Sequence, residues 1–472
     1  MTWTQPYADM PEGFAVEQLP EGPAAGHVPE LVFWNETLAA ELGLELEAEV
    51  WSGARVPAGT RPVALAYAGH QFGHLAMLGD GRAVLIGGRE AREQVMDVQL
   101  KGSGRTPFAR GGDGRAALGP MLREALFSEA MHALGVPTTR TLAVATTGRE
   151  VHRPGLPPAW SGPGAVLTRV ASSHLRVGTF VLASNADAGA VASGADPAHL
   201  RAVADCAIAR HDPDLTDQPG RYGELLRRIV RRQAGLVARW MSLGFVHGVL
   251  NTDNVAVSGE TIDYGPCAFL DRFDSRAVFS AIDRQGRYAY GRQPEITGWN
   301  LGRLAESMLP LLATGRGEDA AVDEAQAALD TFVPQFADAS EEAYRLKLGL
   351  DVAEPPLVGA LLEVMEAGSL DYTGTFRQLA DAEVGALPHA LQPWAERWAQ
   401  REPDRTVMRG VNPTVIPRSH HVEAVLEDAV VRDDLTGFDS LLTACRRPFE
   451  VHPRWSTTPG AAAPTCTTHC GT

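Results

Sequence analysis

The segment HGVLNTDNVAVSGETIDYG, residues 247–265, holds the side chains of this chain best suited to chemistry. Asn254 stands seven residues after His247, and Asp263 opens the tripeptide Asp263-Tyr264-Gly265 on what reads as the next hairpin. An amide oxygen and a carboxylate at such places can hold divalent cations, which neutralise both the attacking and the leaving oxygen of a phosphate transfer. The position two after His247, where a proton acceptor would be expected, is Val249, a side chain that can neither take a proton nor hold a water. Asp253 is the nearest acid able to substitute.

The elements that must position these groups lie upstream. Asp97-Val98-Gln99-Leu100-Lys101 alternates as a strand does and projects Lys101 from one face, a candidate phosphate ligand. The following PMLREALFSEAMHALG has apolar residues at helical spacing from Pro120 to Gly135, with Glu124 in its first turns. A lone strand lysine or helix glutamate is usually a solvated charge. A strand lysine, a helix glutamate, a His followed by an Asn and an Asp-aromatic-Gly, in that order, are together the parts of the protein-kinase pattern. In that pattern the glutamate holds the lysine against a nucleotide's phosphates, and this chain departs from it at Val249.

Longer blocks carry a closer resemblance. YAGHQFGHLAMLGDGRAVLIG from Tyr67, DVQLKGSGRTPFARGGDGRAALG from Asp97, SEAMHALGVPTTR from Ser128, LTRVASSHLRVGTF from Leu167 and HGVLNTDNVAVSGETIDYGPCAFLD from His247 resemble the selenoprotein O (SelO/YdiU) family of protein-kinase-like nucleotidyltransferases. The resemblance implies an α+β, two-lobed kinase-like fold with a mostly helical C-terminal extension. It implies ATP bound in a flipped orientation, with AMP passed to Ser, Thr or Tyr hydroxyls of proteins and pyrophosphate released; UMP transfer from UTP is a variant of the same chemistry. Asn254 and Asp263 would then hold Mg²⁺ or Mn²⁺ at the α-phosphate, and Asp253 would accept the hydroxyl proton. Lys101, supported by an ion pair with Glu124, would take the γ-phosphate side with Arg169 and Arg176. Gly79, Gly81, Arg82, Asp113 and Gly114, in the two GDGR strings, match nucleotide-contacting positions, and Asp263 serves nucleotide and metal alike. Planar guanidinium groups suit the phosphate role because they give paired hydrogen bonds and stay charged.

Plainer readings stand beside these. Asp-Gly is a strong turn signal, so each GDGR could be an ordinary hairpin. Asp253 could orient a metal-bound water or cap a turn. His70 and His74 sit at a spacing that could serve a metal on a helix, but flanking glycines favour a hydrogen-bonding role. His247 reads as a buried structural histidine, and Arg110, Arg115, Arg123 and Arg140 as surface charges. A kinase transferring the γ-phosphate and a non-catalytic nucleotide-binding pseudokinase are the two competing functions.

Organisation follows from the same patterns. Residues 1–60 read as an N-terminal extension with its clearest helix in EGPAAGHVPELVFWNETLAAELG, 61–171 as a kinase-like N-lobe, 172–317 as a C-lobe, 318–447 as a helical extension and 448–472 as a flexible tail. A helix from Tyr222 to Leu243 places Leu225, Leu226, Ile229, Leu236, Val237 and Trp240 on one face. The block from Thr406 should pack back on the core, and 187–220 reads as loosely ordered. In the tail, Cys466 and Cys470 are similar to the family's terminal redox pair, but with three residues between them instead of two. A regulatory disulfide there, or from the tail to Cys267 or Cys445, is the alternative to an inert tail.

Composition sets outer limits. Charged residues are 21% and apolar ones 44%, ordinary for a globular chain of 472 residues. A formal net charge of −16 argues against a nucleic-acid partner. With no apolar run of the ~20 residues that span a bilayer and no basic-then-apolar start, a cytoplasmic location without membrane association is expected; five scattered cysteines make no disulfide framework.

Overall fold

Alternation along Gln94–Lys101 produces a strand whose two faces have opposite fates. Val98 and Leu100 turn to a small core with Leu38, Leu42, Val50 and Trp51 of two short N-terminal helices, Glu36–Leu42 and Ala48–Trp51. Asp97, Gln99 and Lys101 turn to the other face, where they are buried and bond His174, Asp80 and Glu124 respectively. A one-residue register slip would exchange the two sets, so the register is strongly specified.

The computed structural model describes residues 2–91, 94–456 and 467–469. It is a mixed α/β structure built on a nine-stranded antiparallel sheet. The order along its main path is Ala15–Glu17, Val63–Leu65, Ala83–Ala91, Gln94–Lys101, Gly162–Ala171, Arg140–Val151 and Leu31–Trp34. Trp3–Thr4 adds to Ala83–Ala91, and Ala116–Ala117 to Gly162–Ala171. The strands expected around Leu85, Leu100, Val144 and Val166 all lie in this sheet.

Helix Leu118–Ala133 packs against Arg140–Val151 and Gly162–Ala171. It is buried nearly all round, with Leu122, Ala125, Leu126, Phe127 and Met131 at 1% exposure or less, and so lacks a polar face. Arg123, inside it, is no surface charge: it is fully buried and donates to the carbonyls of Gly265 and Cys267 and to Glu423 on helix Ser419–Val431. That helix belongs to the block from Thr406, which packs back on the core as its apolar spacing requires. Arg140 is likewise committed, paired through two nitrogens with buried Glu129.

From residue 177 onward the chain is mostly helical. Helix Arg221–Leu243 buries all six apolar residues that its spacing places on one face, and a glycine in the left-handed region, Gly244, ends it. It packs on Gln293–Leu312 and Phe332–Lys347, and Pro355–Ala367 follows. Leu348, Leu361, Phe376, Trp394 and Trp398 form a second core. No helix among the described residues is long and apolar enough to cross a membrane.

Two local expectations change. The helix read across 21–43 is a strand, Leu31–Trp34, followed by Glu36–Leu42: the β-favouring Leu-Val-Phe-Trp run pairs with Arg140–Val151, and Asn35 caps the helix by accepting from the Leu38 amide. Segment 187–220 is ordered, mostly in helices Val177–Ala192 and Ala198–His211. Its alanine-rich sequence looks polar, yet Leu200, Val203 and Ile208 are buried and Arg210 reaches Asp97 at 2.8 Å. Residues 467–469 lie against the chain near Phe279 to Ala281, where Thr468 donates its hydroxyl to the Pro266 carbonyl. Cys466 and Cys470 lie outside the described residues, whereas Cys267 and Cys445 are buried free thiols and Cys206 a half-buried one.

Candidate active site

A cavity of about 700 Å³ opens between the sheet, the loops of residues 78–82 and 108–115, and the segment of residues 249–266. Its lining gathers Gly79, Gly81, Arg82, Lys101, Asp113, Gly114, Arg169, Arg176, Asp253, Asn254 and Asp263, residues spread over 185 positions of sequence. Glu124 stands behind Lys101, as the strand-to-helix order predicts.

The floor is a balanced four-charge cluster. Lys101 Nζ lies 2.5 Å from Glu124 Oε2 and 2.5 Å from Asp263 Oδ1. Arg169 holds Glu124 Oε1 through two nitrogens and is 3.5 Å from Asp263. Burial alone would raise both carboxyls, but Arg169 and Lys101 hold Glu124 below its usual range, and Lys101 with Arg169 hold Asp263 well below its own. Both acids are therefore ionised, and two cations stand ready to be shared with incoming phosphates. Arg176 closes one wall: its guanidinium stacks 4.3 Å over the Tyr67 ring, donates to the Asp253 carbonyl at 2.8 Å and lies 3.7 Å from Asp80.

Asp253 sits in a one-turn 3₁₀ helix, Thr252–Asn254, immediately before the metal-suited amide. Its Oδ1 accepts from the Gln71 side chain at 2.9 Å, and burial pushes its carboxyl up to about 6. Asn254 donates Nδ2 to the Val249 carbonyl at 2.9 Å, which turns its amide oxygen away from that bond. Val249 itself is buried in the lining, with no polar side-chain atom to contribute. Asp263 has φ 68°, a left-handed backbone that few side chains other than Asn, Asp and Gly accept. His247 is buried as expected and bonds Ile262 O through Nε2 at 2.9 Å, tying the loop to the strand-like run before Asp263.

The glycines have a packing reason besides any ligand. At Gly79 (φ 143°) a Cβ would come within 2.5 Å of the Phe108 ring, and at Gly114 (φ 70°) within 2.2 Å of the Gly104 backbone. The two GDGR turns thus pack against the loop around Phe108 that forms one cavity wall. Asp113 is held there by Arg153, with bonds of 2.9 and 2.8 Å.

Sequence reading missed Tyr67, Gln71, Phe108, Asn251 and Arg153 in the lining, and it set Arg110 and Arg115 aside although both line the cavity. Gln71 carried one usable signal, its place inside a block already singled out; Arg153 carried none. His70 binds the loop, donating its backbone N–H to Thr252 at 2.8 Å, and His74 is exposed. Among the described residues no cluster of three or more His, Cys, Asp or Glu suits a metal ion.

Behind the site, half-buried Glu260 accepts from Ser172 N and Oγ and from Ser258 Oγ, and burial pushes its carboxyl up to about 7. A raised carboxyl makes the fold bind a proton that the unfolded chain releases, so the contribution of Glu260 to stability is fully present below pH 4.5 and is lost as pH rises through about 7. Glu260→Gln should match wild type at pH 5 and exceed it at pH 8 by ~1–2 kcal/mol, after allowance for partial solvent screening. Urea midpoints at the two pH values check this; equal midpoints at pH 8 would refute it.

Comparisons with known proteins place the chain among relatives. The family model described as protein adenylyltransferase SelO matches residues 21–392. A protein nucleotidyltransferase YdiU of Methylorubrum populi is 48% identical over 99% of this chain and 98% of its own. One from a Bradyrhizobium species is 50% identical over 95% of this chain and 94% of its own, and one from Geobacillus kaustophilus 47% over 99% and 98%.

Proposed function

This chain belongs to the protein adenylyltransferase SelO family and is a nucleotidyltransferase; from that premise we propose that its cavity binds ATP with the α-phosphate toward Asn254 and Asp263 and passes AMP to hydroxyls of proteins. The observation that carries the reading is the four-charge cluster of Lys101, Glu124, Arg169 and Asp263 in the same cavity as Asp253 and Asn254.

The donor set fits a hard divalent cation. Asp263 offers a carboxylate held ionised, and Asn254 an amide oxygen not used in its bond to Val249. With so few protein oxygens, Mg²⁺ or Mn²⁺ would complete its shell with nucleotide phosphate and water, and when bound it supplies charge neutralisation at the phosphorus under attack. Lys101, Arg169 and Arg176 would hold the β- and γ-phosphates. Asp253, half-charged near pH 6, would take the proton of the acceptor hydroxyl as its oxygen forms the bond to the α-phosphorus. The α–β bridge then breaks, and pyrophosphate leaves with its charge held by the three cations. Gln71 orients the Asp253 carboxylate for this, and Glu124 keeps Lys101 extended into the cavity.

On this reading the sheet and helix Leu118–Ala133 make the N-lobe of a kinase-like fold, with 172–317 as C-lobe and 318–447 as an extension. Most strands lie before residue 172 and most helices after it, which supports that division; the strands beyond it, Phe245–Val246 and Ala268–Phe269, are two residues each. The test uses ATP labelled at the α- or the γ-phosphate, with Mg²⁺ or Mn²⁺ and a cell extract. Label on protein from α-ATP alone is expected. Label from γ-ATP alone would mean phosphoryl transfer, and none from either a nucleotide-binding scaffold.

A further inference from the structure

We propose that the free edge of strand His74–Met77 is the docking site of the acceptor protein, which adds to it as an extended segment with acidic residues on either side of the modified hydroxyl. This rests on the transfer reaction proposed above and deepens it.

Strands Ala68–Gln71 and His74–Met77 form a two-stranded hairpin separate from the main sheet. The inner strand faces the transfer site: Gln71 reaches Asp253, and the His70 amide bonds Thr252. The outer strand has no partner on its far side among the described residues. Its register fixes what it offers. Leu78 N donates to Tyr67 O, so Gly69 with Ala76 and Gln71 with His74 are the hydrogen-bonded pairs that follow. The N–H and C=O groups of Leu75 and Met77 must then point outward. No backbone bond to them is found among the described residues, and the two side chains are 51% and 56% exposed. An edge of this kind is a template for another strand, and proteins usually blunt it with charge, proline or a bulge. His74-Leu75-Ala76-Met77 has none of these.

Charge at the two ends defines the occupant. Arg287 reaches the turn, its guanidinium 3.8 Å from where a Cβ on Gly73 would be, and it stacks on Trp299. Arg110 follows Phe108 and Ala109, which pack on Gly79 and Gly81 just past the strand's other end. Among the described residues neither guanidinium forms an ion pair with a carboxylate; the Asp283 carboxylate is engaged by the Arg287 backbone N–H, and Glu295 senses the Arg287 charge from a distance. Acids nevertheless outnumber bases in this chain by 58 to 42. A segment paired along the edge would lie two strand spacings, roughly 10 Å, from Gln71. About three residues of extended chain cover that span, so a hydroxyl that far beyond the paired stretch can enter beside Asp253.

The probe is a capped eight-residue peptide of alternating valine and serine with glutamate at both ends, supplied with α-labelled ATP. Its lysine-ended counterpart and two N-methylated versions, methylated on odd or on even amides, are run alongside. The glutamate-ended peptide should be labelled with a KM at least tenfold below the lysine-ended one. One N-methylation pattern should abolish labelling and the other leave it, because only alternate amides face the partner strand. Arg287→Glu, which leaves Arg110 at the other end, should remove the end preference while ATP binding, followed by thermal shift, stays unchanged.

Equal labelling of all four peptides, or of none while extract proteins are still labelled from α-ATP, would overturn the docking proposal and leave the transfer reaction standing. No α-label on any protein or peptide would remove the reaction and with it the docking site. Sedimentation covers one other occupant: a dimer that blocks peptide labelling and dissociates on Leu75→Pro would assign the edge to a second copy and overturn the proposal.

Discussion

Asp263→Asn is expected to lower AMP transfer at least ~10³-fold, about 4 kcal/mol of transition-state stabilisation, while the chain still folds. The substitution is chosen for its backbone. Asp263 has φ 68°, and Asn is the side chain most at ease there after Gly, so the change removes charge without adding strain. What goes is the one carboxylate that the cavity presents to both a cation and Lys101. An amide binds a divalent cation far less strongly, and transfer of this kind depends on positioning and electrostatics more than on the base. Asp253→Asn should therefore cost less than Asp263→Asn. Circular dichroism and a cooperative melt establish folding, and label transfer from α-ATP reads activity. A folded Asp263→Asn protein with more than a tenth of wild-type activity would remove Asp263 from the metal site.

Glu124→Ala should be the most destabilising single change around the cavity, by about 3–5 kcal/mol. Lys101, Arg169 and Glu124 have side chains exposed by only 7%, 4% and 3%. Deleting the glutamate leaves two buried cations facing Asp263 alone, and a buried uncompensated charge is costly because little solvent is there to screen it. The exposed pair of Glu21 and Arg115 is the control. Its side chains are 40% and 32% exposed, so Glu21→Ala should cost under ~1 kcal/mol. Urea midpoints of the two variants make the comparison. Similar small losses would show that the four-charge cluster is not held together by Glu124. Activity should also fall, since Lys101 and Arg169, no longer shared with Glu124, would both be left to Asp263, the carboxylate needed for the cation.

Much of the site was legible because its parts sit at fixed local spacings. Thr252–Asn254 is a single turn, so Asp253 and Asn254 reach one cavity as neighbours in the chain. Lys101 and Glu124 were readable from strand alternation and helical spacing, two periodicities that decide which face a side chain takes before any partner is known. Arg123 and Arg140 failed the same treatment. An arginine on a helix or at a strand start looks like a surface charge until the carbonyls of Gly265 and Cys267, or the carboxylate of Glu129, are brought against it. Segment 187–220 misled for a related reason: alanine contributes little to a hydropathy pattern, yet its small side chain lets helix Ala198–His211 approach its neighbours closely.

The sequence by itself determined the family, the order of strand lysine, helix glutamate, loop amide and carboxylate, and the faces on which the periodic elements place their side chains. These depend on neighbours within a few residues, whose interactions are set by backbone geometry. Tertiary structure alone decided that Gln71 holds Asp253, that Arg169 shares Glu124 with Lys101, and that Leu75 and Met77 are left on an open edge beside the cavity. Each of these joins groups tens to hundreds of residues apart. No local propensity encodes such contacts, because they form when burying the apolar faces of sheet and helices forces distant polar groups to find partners or remain exposed.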